Sequence, residues 1–163
     1  MCVCRFEYSG QKCSAGSRLY VPESKWPKLK ERLVAMMADL KVDTPLKFDT
    51  FTSAVIDERS YDRIANYVEF GKKELKLVAG GQCDKSVGLY VHPTLFESED
   101  PKHQLMREEI FGPILTAHVY KDDRYEQVLE LIDSSTQFAL TGAIFAQDEN
   151  VLGHTMRRLR QSC

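Results

Sequence analysis

Apolar residues recur at three- and four-residue steps in four stretches of the chain. This period predicts amphipathic helices, each with one apolar face turned toward a core. The four predicted helices begin near Glu23, Asp57, Asp122 and Val151.

Three of these helices carry start or stop signals. Ser24 is expected to be the N-cap of a helix over 23–40, with Pro27 in its first turn. Gly71, with the two lysines behind it, is expected to end the second helix. The aspartate pair at 122–123 is expected to cap the third helix, because carboxylates are favourable at a helix N-terminus.

Shorter runs rich in β-branched and aromatic residues lie between the helices and predict strands. These runs are 17–21, 75–79, 89–96, 114–120 and 142–146. Gly80 and Gly81 predict a turn after the second run, and Pro93 predicts an edge or a bulge in the third. Because strands that alternate with helices are typical of parallel pairing, the expected fold class is α/β: a layered, parallel-type sheet with flanking helices.

Composition and charge exclude several classes of protein. The 163 residues are 43% hydrophobic and 28% charged, which is ordinary for a globular domain that buries a core. A formal net charge of −2 gives no reason to expect a nucleic-acid partner. No apolar run approaches the roughly 18 residues that cross a bilayer, so no membrane partner is expected, and 1–5 carries no recognisable targeting signal.

The cysteines indicate a reducing compartment. There are five, scattered along the chain and odd in number, which argues against a disulfide framework. Cys2 and Cys4 form a C-x-C pair, but no second cysteine or histidine cluster completes a tetrahedral set. We therefore expect no metal site.

Cys13 is a candidate nucleophile. It lies between Gly10 and a run of small residues, with Lys12 beside it, so a substrate carbonyl could approach its sulfur closely. Only the thiolate attacks, and a cationic neighbour would raise its fraction at neutral pH. Taken alone, however, a cysteine among five is more often a small buried hydrophobic residue than a catalyst.

Two motifs resemble those of the NAD(P)-dependent aldehyde dehydrogenases. Gly-Gln-Lys-Cys-Ser-Ala at 10–15, followed by a strand-like run at 18–22, resembles the active-site cysteine segment of that superfamily. Glu-Glu-Ile-Phe-Gly-Pro at 108–113 is similar to its other signature. The wording of 6–15 and of 141–148 is most similar to the branch that oxidises glutamate 5-semialdehyde in proline catabolism.

The resemblance implies a chemistry and a role for four residues. In the family a cysteine thiolate attacks the aldehyde carbon, hydride passes to NAD, and water cleaves the resulting thioester. Cys13 matches the nucleophile and Ser14 the serine that binds the substrate's α-carboxylate. Glu109 matches the glutamate that binds the nicotinamide ribose, and Phe111 the aromatic residue beside the nicotinamide ring. From the residues alone the alternatives are a solvated acidic pair at Glu108 and Glu109, an ordinary core aromatic residue at Phe111 and a small packing residue at Ser14.

The resemblance also sets expectations for the whole protein. Residues 1–163 correspond to a single partial catalytic domain without the family's N-terminal dinucleotide-binding domain and without its general-base glutamate; 1–5 and 161–163 depart from the family pattern. A small-molecule aldehyde substrate, a homo-oligomeric parent and a mitochondrial matrix location are implied. NAD is the expected cofactor, but the sequence leaves NADP and other short semialdehydes open. The alternative is a non-catalytic fragment or thiol-bearing interaction module.

Overall fold

The computed structural model describes residues 5–138 and 140–159. Its strands are β1 Arg18–Pro22, β2 Lys76–Ala79, β3 Cys83–Asp84, β4 Tyr90–Val91, β5 Thr94–Ser98 and β6 Ile114–Tyr120. Its helices are α1 Trp26–Ala38, α2 Glu58–Glu74, α3 Gln104–Arg107, α4 Tyr125–Ser134 and α5 Glu149–Arg158. Two short 3-10 turns lie at Glu7–Gly10 and Asp122–Arg124.

The main sheet has four strands in the order β1-β6-β5-β2. Strands β1 and β5 both run parallel to β6, with Arg18 opposite Thr116 and Thr94 opposite Ile114. A second, two-stranded sheet pairs β3 with β4. The expected α/β class with a parallel-type sheet is confirmed.

Helices cover both faces of this sheet, so the fold has three layers. Along β5 and β6 successive side chains point to opposite faces, which is the period of a strand buried on both sides. One apolar cluster joins the sheet to α1: Leu19, Val21, Leu95, Leu115, Ala117, Trp26, Leu33 and Met37. The other joins it to α2: Phe96, Ile114, Ile64, Val68 and Leu105.

Strand β2 differs from the parallel pairing expected for all the strands. It runs antiparallel to β5, with an irregular register between Leu77 and Ala79. The chain turns directly after β2 at Gly80 and Gly81, whose φ angles are +80° and +87°. No helix lies between β2 and β5, and antiparallel strands need no helical crossover. Pro93 falls between β4 and β5, so the predicted interruption separates two strands that belong to different sheets.

The strand predicted over 142–146 is wrong. Within the described residues this segment pairs with no strand, and the Phe145 side chain is 73% exposed. An extended run needs a neighbouring backbone to satisfy its N–H and C=O groups, and the described part of the chain supplies none. The predicted helix that follows is confirmed as α5, and the Asp148 side chain accepts a hydrogen bond from the Asn150 amide at 2.8 Å.

The start of α1 also differs from expectation, although Pro27 does lie in its first turn. Lys25 is the N-cap and supplies no side-chain hydrogen bond. The amide of Ser24 donates instead to the Asp122 carboxylate at 3.2 Å. Asp122 therefore links the start of α1 to the 3-10 turn before α4, and neither carboxylate of the acidic pair caps that helix.

Helix α2 begins as predicted and ends later than predicted. The Asp57 carboxylate accepts a hydrogen bond from the Ser60 amide at 2.7 Å, which is the geometry of an N-cap. The helix continues through Gly71 to Glu74. A Cβ at Gly71 would lie 2.7 Å from the Phe96 ring, so this glycine serves close packing and does not end the helix.

Candidate active site

Both sequence motifs lie at one edge of the main sheet. Cys13 is in the segment that leads into β1, and Glu109 and Phe111 are in the segment that leads into β6. Because β1 and β6 are adjacent and parallel, their amino-terminal ends meet at the same edge. The Thr116 amide donates to the Ser17 carbonyl at 3.1 Å where the two strands begin to pair.

The two motifs touch through their backbones. A Cβ at Gly10 would lie 2.5 Å from the Gly112 carbonyl oxygen and 3.0 Å from the Pro113 nitrogen. Gly10 also has a φ of +67°, which residues other than glycine rarely adopt. Glycine at this position therefore allows the cysteine segment to pack directly on the Gly-Pro turn.

Strained backbone is concentrated in the same two motifs. Tyr8, Ser9 and Phe111 have φ angles of +55°, +56° and +55°, and they are the non-glycine residues with positive φ in the described chain. The left-handed region costs such residues about 1–3 kcal/mol each. Strain of this kind persists only where surrounding contacts impose it, and it is common at active sites.

Residues 52–56 contact the cysteine loop, defined here as residues 6–16, on one side. The Thr52 hydroxyl accepts a hydrogen bond from the Ser9 amide at 2.8 Å, and the Ser9 hydroxyl donates to the Ser53 carbonyl at 2.6 Å. The Gln11 side-chain oxygen accepts from the Ile56 amide at 2.9 Å. These contacts fix the loop on both sides of its glycine.

Cys13 is exposed, and its surroundings differ from those of the other free cysteine in the described chain, Cys83. Lys12, the cation expected to favour the Cys13 thiolate, forms an ion pair with Glu7 at 2.7 Å. Burial raises the pKa of the Cys83 thiol, and Lys72 only partly offsets this rise. Cys83 is therefore a poor nucleophile at neutral pH, which leaves Cys13 as the accessible thiol among the described residues.

The two glutamates of the second motif have different environments. Glu108 accepts a hydrogen bond from the Tyr67 hydroxyl and another from the Gln104 amide at 3.0 Å, and these bonds lower the pKa of its carboxyl. Glu109 is exposed and forms no hydrogen bond or ion pair with any described residue. Its carboxylate is thus free to accept hydrogen bonds from a ligand.

The other two predicted site residues are also accessible. Phe111 is 38% exposed, although it precedes the buried Gly112. Ser14 is exposed, and its carbonyl accepts a hydrogen bond from the Thr141 hydroxyl at 3.4 Å. All four predicted residues thus lie on the two segments that meet at this edge of the sheet.

Sequence reasoning missed the residues that hold the site together. Arg5 is 1% exposed and donates to the backbone of both motifs. Burial lowers its pKa to about 10, and the nearby Glu109 carboxylate opposes that shift. The only sequence signal was the positive charge of Arg5 itself, since Gly112 and Ile114, which accept its hydrogen bonds, lie 107 and 109 residues away. The partners of Gln11 and Thr52 are 45 and 43 residues from them.

Two cavities lie outside the cysteine loop. One of about 440 Å³ lies between β6 and α4 and is lined by His118, Tyr120, Arg124 and Leu131 among others, none of them in either motif. A smaller one of about 20 Å³ is lined on one side by Glu108 and Glu109. Across the described ranges no three histidine, cysteine or acidic side chains come together as a metal site, and no helix is long and apolar enough to cross a membrane.

Two solved structures share this architecture. The gamma-glutamyl-gamma-aminobutyraldehyde dehydrogenase of Burkholderia cenocepacia superimposes with a TM-score of 0.90 at 32% identity, covering 98% of this chain and 32% of that one. The delta-pyrroline-5-carboxylate dehydrogenase of Mycobacterium tuberculosis, solved with NAD bound, superimposes with a TM-score of 0.87 at 37% identity. That match covers 98% of this chain and 29% of that one.

Sequence comparison points to the same group of proteins. The mitochondrial delta-1-pyrroline-5-carboxylate dehydrogenase of Mus musculus is 51% identical over 160 residues, which are 96% of this chain and 28% of the mouse protein. The chain thus spans less than a third of the length of this relative. The sequence profile of the aldehyde dehydrogenase family matches residues 2–163. The chain therefore belongs to the aldehyde dehydrogenase family.

Proposed function

We propose that the protein carrying this chain oxidises L-glutamate 5-semialdehyde to L-glutamate, with NAD as the hydride acceptor and Cys13 as the nucleophile. In this proposal residues 1–163 form part of a catalytic domain. The relatives that support it are named for delta-1-pyrroline-5-carboxylate, which is in equilibrium with this semialdehyde, and one of them was solved with NAD.

One observation carries the proposal: the contact between Gly10 and Gly112. It brings an exposed thiol and an exposed, unpaired carboxylate to one edge of the sheet, on segments whose backbones admit no methyl group between them. A reaction in which a substrate held covalently on the thiol would pass a hydride to a bound cofactor requires these two functions to be adjacent. The strained backbone at Tyr8 and Phe111 is consistent with a preformed site.

The residues present fit a nicotinamide cofactor. A ribose offers hydroxyl donors, and the Glu109 carboxylate is exposed and lacks partners among the described residues, so it can accept from them. Phe111 exposes part of its ring beside that carboxylate, where it can pack against an aromatic cofactor ring. When bound, NAD would accept the hydride that leaves the substrate carbon.

The chain's own residues supply the covalent step. The Cys13 thiolate attacks the aldehyde carbon to give a thiohemiacetal, and loss of hydride converts this adduct to a thioester that water cleaves. The Cys13 amide donates to no described residue, so it can donate to the oxyanion that forms in the attack. Ser14 has an exposed hydroxyl next to the nucleophile, suited to the substrate's α-carboxylate.

The proposed location follows the same relatives, and the proposed assembly follows the family resemblance in the sequence. The mouse, rat and human relatives are named mitochondrial, so we propose that this protein acts in the mitochondrial matrix. We further propose that the parent enzyme is a homo-oligomer, which sedimentation of the native protein would test.

The nucleophile is tested by Cys13→Ser in the native protein. A hydroxyl in place of the thiolate is a far weaker nucleophile, so NADH formation from glutamate 5-semialdehyde is expected to fall by roughly a thousandfold or more. The assay follows NADH by absorbance over time at saturating aldehyde.

Cys83→Ser is the matched control, because Cys83 is half-buried and lies in β3 rather than in either motif. This variant is expected to keep wild-type activity. Full activity in Cys13→Ser, or equal losses in both variants, would contradict the assignment. The same assay with an aldehyde of similar length that lacks the α-carboxylate tests the substrate, and an equal kcat/KM would contradict glutamate 5-semialdehyde.

A further inference from the structure

Arg5 is a buried cation that contacts both motifs. Its side chain is 1% exposed. Its Nε donates to the Ile114 carbonyl at 2.7 Å, one terminal nitrogen donates to the Ala15 carbonyl at 3.3 Å, and the other donates to the Gly112 carbonyl. The first and third acceptors lie on either side of Pro113 in the second motif, and the second lies two residues after Cys13.

We propose that Arg5 is a positioning residue that fixes the cysteine loop and the Glu109–Phe111 segment in a single relative arrangement. The inference rests on the proposed function, in which Cys13 holds the substrate and Glu109 holds the cofactor ribose. It concerns a residue outside both motifs, which precedes the first of them in the chain.

Guanidinium chemistry explains how one side chain can do this. Arginine carries five N–H donors in a rigid planar fork, so a single head group can reach acceptors in several directions. A lysine ammonium is a compact charge on a flexible stem and would not hold three separate carbonyls in fixed geometry. Arg5 is hydrogen-bonded to Ala15 and Gly112 at the same time. A shift of the cysteine loop relative to the second motif therefore breaks at least one of these hydrogen bonds.

The charge of Arg5 also interacts with a residue of the second motif. Burial lowers the pKa of Arg5 to about 10, and the Glu109 carboxylate acts in the opposite direction. Glu109 is the partly compensating charge, and it is also the residue proposed to bind the cofactor. Arg5 therefore interacts with the cysteine loop through a hydrogen bond, and with the second motif through both hydrogen bonds and the attraction of the Glu109 charge.

Hydrogen–deuterium exchange of the native protein, resolved by peptide, tests the clamp. In Arg5→Met, amides in the peptides covering 11–16 and 111–115 are expected to exchange about tenfold faster together, because the bonds that join them are gone. Arg5→Lys keeps the charge but loses the fork, and it is expected to restore the protection only in part.

Arg63→Met is the matched control. The Arg63 guanidinium donates to the Ile110 carbonyl in the second motif, and among the described residues it forms no hydrogen bond with the cysteine loop. It is expected to raise exchange near 110 while leaving 11–16 unchanged. Faster exchange across all peptides of Arg5→Met, including β5 and β6, would make Arg5 an ordinary core residue; unchanged exchange in 11–16 would also overturn the proposal.

Activity separates this inference from the proposed function. If Arg5 positions the two segments, Arg5→Met is expected to lower kcat by about tenfold or more with a smaller change in the KM for aldehyde. An equal kcat in Arg5→Met and in the wild type would overturn the positioning role. A wild-type protein without dehydrogenase activity would overturn the proposed function, whereas the exchange experiment would still decide whether the clamp exists.

Discussion

At Gly10 two independent constraints meet. The φ of +67° disfavours any residue with a Cβ, and the Gly112 carbonyl occupies the place where that Cβ would go. Backbone oxygen cannot swing aside as a side chain can, so a substitution must move one motif relative to the other. The residue thus controls the site without taking part in its chemistry.

Gly10→Ala is therefore expected to destabilise the protein by roughly 2 kcal/mol or more, from the left-handed backbone and the contact with Gly112 together. Urea unfolding followed by fluorescence of the single tryptophan, Trp26, measures the change. Gly16→Ala in the same loop is the control, because a Cβ there would meet nothing within 4 Å and the change should stay within about 0.5 kcal/mol. Equal effects of the two substitutions would refute the argument.

Single residues of the site were predictable from the sequence to different degrees. Cys13 and Glu109 lie in recognisable motifs, and the structure leaves both exposed. Glu108 accepts a hydrogen bond from Tyr67, whereas Glu109 accepts none from any described residue. This difference could not be predicted, since the two are neighbours with the same chemistry. Arg5 was missed because it lies outside both motifs, and two of the carbonyls that accept its hydrogen bonds, Gly112 and Ile114, lie 107 and 109 residues away.

At the scale of elements, local signals predicted what local chemistry determines. Helix α2 begins at a capping aspartate and keeps its apolar period, and β6 is a compact β-branched run whose bounds were predicted correctly. The direction of β2 and the lack of a partner for 142–146 depend on which backbone lies alongside, and a single run of residues carries no such information. Ser24 was a reasonable cap by residue type, but its amide is bonded to another element.

The N-cap of α2 should make stability depend on pH. Hydrogen bonds from Ser60 lower the pKa of Asp57, so the unfolded chain binds its proton at a higher pH than the folded one. The stabilisation is then fully present above the usual aspartate pKa of about 3.9 and is lost as pH falls through the lower, folded value.

Asp57→Asn tests this, because the amide oxygen can still cap α2 but does not titrate. The free energies of unfolding of the wild type and the variant, measured by urea titration at a series of pH values, are expected to converge as the solution becomes acid. A difference that stays constant from neutral to acid pH would contradict the assigned role of the carboxylate.

At the scale of the whole molecule, some apolar side chains are packed between the layers and others are exposed to solvent. The α1 and α2 faces of the sheet are packed, but the residues after α4 leave large apolar side chains in solvent: Phe138 is 53%, Leu140 61% and Phe145 73% exposed. Three such side chains within one short segment form an apolar surface of the kind that promotes association. The match to relatives that are more than three times as long is consistent with further contacts at this surface.

The 163-residue chain alone is therefore expected to self-associate, and the double substitution Leu140→Ser with Phe145→Ser is expected to shift it toward monomer. Sedimentation velocity at several protein concentrations measures the distribution. Val87→Ser, at a valine in the loop before β4 that is still more exposed than Leu140 or Phe145, is the control and should leave the distribution unchanged. A wild-type chain that sediments as a monomer at all concentrations would contradict the expectation.

The contact of Gly10 with Gly112 has a consequence for engineering. The cysteine loop cannot be transplanted to another scaffold by copying residues 6–15, because its conformation is completed by a turn from a distant part of the chain. A directed-evolution library that varies either motif alone samples mostly sequences in which the two backbones no longer fit. The two motifs are best varied and transferred as one cassette, together with the adjacent parallel strands that carry them.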